Sequence, residues 1–330
     1  MARVKKIIND PERIVTEVID GLVLASHGKL ARIGRLNAVM RSEIPEGKVA
    51  LLVGGGSGHE PMYTCYVGDN FADASVAGHV FAAPTPDAIH EATKAVHRGG
   101  GVIYLYGNYA GDNMNFDIAA ELAAEDGIAI RTIRVADDVV TPERKERRGI
   151  GGAFYVVKIA GAIATEAKSL DEAAAAIAHA AGNVRSIGVA VRAGSLPETG
   201  QPTFVLDEDE IEIGMGAHGE PGIERRKLMA ADELAAAMTR LVVDDLPFRE
   251  GYEVALLLNN LGATTQMELL IVNRAVRAEL AALGIKVYRT DIGAFFTSQE
   301  MAGFSLSLLK LDADLKGWLD APARSPGFSQ

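Results

Sequence analysis

The chain has 330 residues, 48% hydrophobic and 23% charged, which suits a soluble globular protein of about two domains. Its 33 Lys and Arg stand against 44 Asp and Glu, and the formal charge of -11 opposes nonspecific attraction to nucleic acid or anionic lipid. The first twenty residues scatter charge without an apolar stretch and no later apolar run reaches bilayer length, so a cytoplasmic protein with no membrane partner is expected.

In chain order, KVALLV (48 to 53) predicts a strand that runs into the glycine-rich loop GGGSGHEP. Cys65 lies in MYTCYV beside aromatics and reads as a small buried hydrophobe without chemistry of its own. GVIYLYGNYAGDNMNF (101 to 116) repeats the strand-to-loop scheme, with Asp and Asn ready to cap a helix that ends at Gly127. IAIRTIRV (128 to 135) predicts a strand, SLDEAAAAIAHAAG (169 to 182) a helix, and SIGVAVRAGSLPETGQPTF (186 to 204) a strand that gives way to glycine and proline. A boundary near 183 to 190 divides the chain into expected domains 1 to 185 and 186 to 330. Beyond it come IEIGMGAHGEPG, a predicted helix through 224 to 243, EVALLLNNLGATTQ, the helix MELLIVNRAVRAELAALG and the strand IKVYRTDIG (285 to 293). The tail APARSPGFSQ is expected to be poorly ordered. Strands alternating with helices predict an α/β fold built on parallel sheets.

Four polar loops follow strands: GGGSGHEP, GNYAGDNMNF, MGAHGEPG and NNLGATTQ. Ligands collect beyond the carboxyl ends of strands in open α/β sheets, so these loops are where a site is expected. Gly54 to Gly58 reads equally as a tight turn or as backbone that approaches a ligand. It lacks the lysine of a P-loop and the spacing of a dinucleotide site. Asp112 serves either as a helix N-cap or as a carboxylate that takes a proton from a substrate hydroxyl, and Asn108, Asn113 and Asn115 stay open between capping, turning and binding. His218 sits among glycines in GMGAHGEPG, which predicts an exposed and mobile loop and raises a reactive role above a packing one. His27, His79, His90, His97 and His179 have no such setting. His59 with Glu60 and His218 with Glu220 lack the spacing of a metal site, and no metal is expected.

Taken together, GGGSGHEP, NYAGDNMNF and MGAHGEPG resemble the substrate-binding subunit of dihydroxyacetone kinases, and GIGGAFYVVKIAGA, LLLNNLGATTQMEL and MAGFSLSLLKLD extend the resemblance over most of the chain. The resemblance implies two α/β domains with central sheets, a homodimer, and a phosphotransferase whose substrate is a short-chain ketose. It implies that Gly56, Ser57 and Gly58 of the first loop cradle the ketone's hydroxyls, that His218 is the covalent histidine, and that His59 and Asp112 are the acid/base pair. Gly107 and Asp112 complete the substrate contacts. An imidazole nitrogen that adds to a ketone carbonyl forms a hemiaminal, a tie open to dihydroxyacetone and closed to glycerol. A carboxylate with a second proton-handling group then polarises a terminal hydroxyl toward a γ-phosphate.

Many dihydroxyacetone-binding relatives carry lysine at the first position of KNYxGD, where this chain has Gly107. The smaller residue either enlarges the pocket for a ketose such as erythrulose or apulose, or only reroutes a hydrogen bond to water. The helical nucleotide-binding domain that some relatives carry beyond the DLKGWLDAP segment is not expected in this protein. No cofactor is therefore expected in this chain; ATP or ADP with magnesium is expected on a separate helical subunit. Two other readings compete: a hydroxyketone sensor without turnover, and a nucleotide-dependent α/β enzyme, the latter weakened by the missing phosphate-loop patterns.

Overall fold

The computed structural model describes residues 4–330, which form two compact units. One comprises Lys6–Val135, Tyr155–Gly182 and Gly317–Gln330; the other comprises Ala136–Phe154 and Asn183–Lys316, with Val4 and Lys5. The chain passes into the second unit at Asn183, near the boundary expected from composition, yet Ala136–Phe154 already belongs there and the last fourteen positions return to the first unit.

The first unit is built from α1 (Ile14–Ala25), β1 (Leu30–Arg32), β2 (Ala38–Arg41), β3 (Ala50–Ser57), β4 (Ala74–Val80), α2 (Pro86–Val96), β5 (Val102–Gly107), α3 (Ala110–Glu125), β6 (Ile130–Val135), α4 (Ala153–Glu166, which begins in the other unit) and α5 (Leu170–Gly182). Its six strands lie in the order β1-β2-β4-β3-β5-β6. β4, β3, β5 and β6 are parallel, whereas β1 and β2 add an antiparallel edge. β3 and β5 are buried almost throughout, which is why their sequences read as continuous apolar runs and not as alternation. α2 starts where Thr85 accepts the Ala88 N–H and Pro86 fits the first turn. The core gathers Leu52, Val76, Ile89, Tyr104, Tyr106 and Phe116, with the last two rings stacked at 4.2 Å.

The second unit contains β7 (Val184–Arg192), β8 (Glu210–Ile213), β9 (Glu224–Lys227), α6 (Ala231–Asp245), β10 (Glu253–Asn260), α7 (Gln266–Ala282), β11 (Lys286–Gly293) and β12 (Ala302–Leu311), followed by α8 (Ala313–Asp320), which runs back into the first unit. The strand order is β11-β10-β12-β7-β8-β9. Only β10 and β11 are parallel here, so the expectation of parallel sheets holds for most of one sheet and not for the other. α7 opens with a capping box in which Thr265 and Glu268 satisfy each other's backbone N–H. Its buried face, Leu269, Val272, Val276 and Leu280, repeats at helical spacing against Leu256 and Leu258 of β10.

Three local expectations change. The segment 224 to 227 is not the start of a helix: ERRK pairs with β8 as a fully exposed edge strand, and α6 begins only at Ala231. Charged residues on an exposed edge are compatible with either element by composition, and the β8 register decides between them. The tail is not loose. Arg324–Ser325 and Phe328–Ser329 form the hairpin β13–β14, Phe328 meets Phe71 edge to face, and Asp69 exchanges backbone hydrogen bonds with Arg324. Finally, Asp112 is not the cap of α3; the cap is Tyr109, and Asp112 lies in the first turn.

Candidate functional site

In the first unit, the carboxyl ends of β3 and β5 are neighbours, paired in register at Val53 and Leu105. Most of the glycine tract belongs to β3 itself, which runs to Ser57. Its glycines answer to packing. A Cβ on Gly54 would meet the Val76 carbonyl at 2.8 Å, one on Gly55 the Tyr63 ring at 2.7 Å, and one on Gly56 the Ala82 nitrogen at 2.8 Å. The cleft that Gly55, Gly56 and Ser57 line against Tyr63 and Val76 has no room even for a water. Ser57 Oγ donates to the Gly78 carbonyl at 2.8 Å. Gly58 turns the chain with a φ of +96°, and its N–H is taken by the Glu60 carboxylate at 3.1 Å. Burial pushes the Glu60 carboxyl up against those hydrogen bonds.

His59 follows that turn and is buried, its ring 4.9 Å from that of Phe81. The four residues that leave β4, Phe81–Pro84, join His59 to the first turns of α3, which follows β5. Phe81 N–H donates to the Ser57 carbonyl, its ring lies against His59, Ala83 Cβ is 3.4 Å from the position a Gly111 Cβ would take, and Pro84 accepts from Asn115 Nδ2 at 2.8 Å. Tyr63 adds a second tie: its Oη accepts the Gly107 N–H at 3.0 Å. Asp112 is buried in the first turn of α3, where the helix macrodipole favours a negative charge. His59, Gly107 and Asp112 therefore share one end of one sheet. Asn113 Nδ2 donates to Asn108 Oδ1 at 2.8 Å, so both of those asparagines are engaged in shaping the turn. Cys65 is half-buried, with its thiol pushed up to about 11 by burial, in keeping with an inert role.

His218 belongs to the second unit, on the loop between β8 and β9. The loop is neither fully exposed nor slack. Ala217 is buried and its carbonyl accepts from Ser298 Oγ at 2.6 Å, Gly216 N–H donates to the Glu220 carbonyl, and Gly222 N–H donates to Glu212 at 2.7 Å. The space behind it, against Ile150, Leu261 and Phe296, amounts to about 10 Å³, roughly one water. Its glycines permit close approach: a Cβ on Gly216 would lie 2.2 Å from Glu220 Oε2, and one on Gly222 would lie 2.1 Å from the Ile213 carbonyl.

The His218 side chain is 24% exposed, with Nδ1 2.9 Å from Glu220 Oε1, and its backbone N–H donates to Glu220 Oε2 at 2.8 Å. Burial works against the Glu220 charge, but the hydrogen bond of His218, and its charge when the ring is protonated, outweigh it and hold the carboxyl down to about 2. An ionised carboxylate only accepts, so Nδ1 carries the hydrogen and neutral His218 has its lone pair on Nε2. Sequence reasoning weighed Glu220 only as a metal partner and gave it no orienting role; the spacing of His and Glu two residues apart was the available signal.

The fourth loop is consumed by structure. Asn259 is buried, donating to the Phe296 carbonyl and Ser305 and accepting both the Phe295 and Phe296 N–H groups, while Asn260 Oδ1 accepts from Gly262 and Thr264. A cleft of about 460 Å³ in the first unit, around Ala25–Leu30 and Arg324–Pro326, contains none of these groups. Among the described residues, no helix is long and apolar enough to cross a membrane.

The family model of the Dak1 domain matches residues 20–327. The chain belongs to the Dak1 family. It is 40% identical over 328 residues to the dihydroxyacetone-binding subunit DhaK of PTS-dependent dihydroxyacetone kinase 2 from Listeria innocua, covering 98% of this chain and 99% of that one. It is 36% identical over 330 residues to L-erythrulose 1-kinase from Mycolicibacterium smegmatis, with 98% of this chain matched to 57% of the kinase. The crystal structure of the dihydroxyacetone kinase from C. freundii in complex with AMP-PNP and Mg2+ superposes with a TM-score of 0.89 at 31% identity, covering 99% of this chain and 61% of that one. The two-sheet α/β architecture of this Dak1-family chain is thus one shared with a kinase of known structure.

Proposed function

We propose that the chain is the substrate-binding subunit of a dihydroxyacetone-type kinase and holds a short-chain hydroxyketone as a hemiaminal on Nε2 of His218. The observation that carries this reading is the pairing of His218 Nδ1 with ionised Glu220, which leaves a nucleophilic lone pair on the other ring nitrogen. Attack by Nε2 forms a C–N bond and opens the carbonyl π bond. The carbonyl oxygen takes a proton from solvent, and the positive charge gained by the ring is balanced by the Glu220 carboxylate already on Nδ1. Selection then comes from bonding: a polyol without a carbonyl has no electrophile to offer.

His59 and Asp112, held at one end of the other unit's sheet by Phe81–Pro84, are assigned to the terminal hydroxyl. A carboxylate at a helix N-terminus accepts that hydroxyl's proton as the oxygen attacks a γ-phosphate, with His59 as the second proton-handling group. Gly56, Ser57, Gly58 and Gly107 are read as backbone and hydroxyl contacts around the ketose. Because Ser57 Oγ already donates to Gly78, it offers the substrate its lone pairs and not its proton. The same reading includes a homodimer, a cytoplasmic setting and a separate helical subunit carrying ATP or ADP with magnesium.

The test uses dihydroxyacetone labelled with carbon-13 at the carbonyl. On binding, the labelled resonance should leave the ketone region for that of an sp³ carbon, and His218→Ala should keep it at the ketone position. A bound ketose whose labelled carbon stays a ketone in the unsubstituted protein would overturn the covalent reading.

A further inference from the structure

Arg148 lies in the segment Ala136–Phe154, far from His218 in sequence, yet it is the group that closes the His218 loop. Its Nη2 donates to the Gly214 carbonyl at 2.8 Å, on the strand side of the loop, and its Nη1 reaches the Pro221 carbonyl at 3.4 Å, on the return side. The same guanidinium is forked onto Asp138, with Nε and Nη2 at 2.8 and 2.7 Å from Oδ2. Asp138 is buried and also accepts the Val140 N–H at 3.1 Å, so the fork rests on a fixed base. A planar guanidinium is the side chain suited to this task, since its five donors point in fixed directions.

Gly216 shows how closely the parts fit. A Cβ there would lie 2.7 Å from Arg148 Nη1 and 2.2 Å from Glu220 Oε2, so the clamp and the histidine's orienting carboxylate converge on a residue without a side chain.

We infer that Arg148 is a positioning residue for the covalent histidine: it fastens both stems of the Gly214–Pro221 loop to buried Asp138 and so fixes where His218 Nε2 points. The inference rests on the reading of His218 as the covalent site. Arg148 acts through the loop backbone, by the carbonyls of Gly214 and Pro221. Burial pushes the Asp138 carboxyl up to about 6 against the pull of Arg148, which leaves it ionised at neutral pH and able to hold the fork.

The experiment compares the full-length protein with Arg148→Lys and with Asp138→Asn, which keeps the guanidinium and removes the charge beneath it. Two quantities are read: backbone amide exchange across 214–222 without ligand, and the fraction of carbonyl-labelled dihydroxyacetone converted to adduct. A lysine cannot span two carbonyls and a carboxylate together. Amide exchange in the loop should therefore rise while α7 and the β10 core keep their protection, and adduct affinity should fall on the order of a hundredfold, the cost of a misplacement of about 1 Å at a reacting group. Asp138→Asn should move both quantities the same way by a smaller factor. Unchanged loop exchange in both variants overturns the clamp, and raised exchange with undiminished adduct overturns the positioning role. Absence of adduct in the unsubstituted protein would strike the covalent reading instead, and loop exchange would still decide the clamp.

Discussion

Glu220 meets His218 twice, at the ring through Nδ1 at 2.9 Å and at the backbone N–H at 2.8 Å, so one carboxylate sets both the tautomer and the turn. Glu60 repeats half of this arrangement in the other unit, accepting the N–H of Gly58 two residues earlier, and each glutamate is followed by proline. Both glycine loops are thus folded back by their own glutamate. In Glu220→Gln the acceptor for Nδ1 loses its charge, and adduct affinity should fall roughly tenfold to a hundredfold, as for other groups that orient a reactive histidine. Titration with the labelled ketose reads the change.

The same carboxylate has a pH signature. Its folded value of about 2 lies below the ordinary 4.5, so its contribution to stability is complete above about pH 4.5 and is lost as the pH falls toward 2. Thermal unfolding at pH 7 should therefore show a gap between the unsubstituted protein and Glu220→Gln that closes in acid. A gap that widens below pH 4 would mean that the carboxylate is not held ionised by His218.

Asp112 is assigned to the proton of the hydroxyl and not to the carbonyl. Asp112→Asn should leave the adduct resonance in place while phosphoryl transfer with the nucleotide-carrying partner drops by about 10² to 10⁴, the usual range for a lost general base. Loss of the adduct in this variant would exchange the two roles.

Two glycines in the His218 loop should respond differently to alanine. The obstacle at Gly222 is backbone, the Ile213 carbonyl at 2.1 Å, so Gly222→Ala should destabilise by about 1–3 kcal/mol as an overpacked site. The obstacles at Gly216 are the ends of Glu220 and Arg148, which can move. Gly216→Ala should unfold close to the parent temperature and lose adduct formation. Chemical denaturation together with the labelled ketose separates the two outcomes.

At Gly107 a Cβ would sit 3.2 Å from Tyr63 Oη and 3.3 Å from the Tyr109 ring, close enough that both rings must give by a few tenths of an ångström. Gly107→Lys adds bulk and a cation at the end of β5, and it should shift preference from erythrulose toward dihydroxyacetone by roughly tenfold. The ratio of kcat/KM for the two ketoses measures it. An unchanged ratio would show that Gly107 does not face the substrate.

The α/β alternation, and the strands and helices whose apolar spacing is local, can be read from residue order alone, and so can the setting of the candidates His59, Asp112 and His218 in glycine-rich loops. Periodicity and capping act within a few turns of chain, so these features are legible without tertiary contacts. Other features depend on groups far apart in sequence. The antiparallel character of the second sheet is set by which strands meet, β12 lying between β10 and β7. The tail is ordered because Arg324 pairs with Asp69, and ERRK is a strand because β8 lies beside it. Glycines that read equally as a tight turn or as a ligand cradle are also places where Val76, Tyr63 and Ala82 press against the chain, a packing demand that no local pattern reveals. The stiffness of the His218 loop comes from Arg148, 66 residues before the Gly214 carbonyl it holds, and from Ser298, 81 residues beyond the Ala217 carbonyl. Residue type reveals what a side chain can do, but only the packed fold decides which carbonyl or carboxylate comes within its reach.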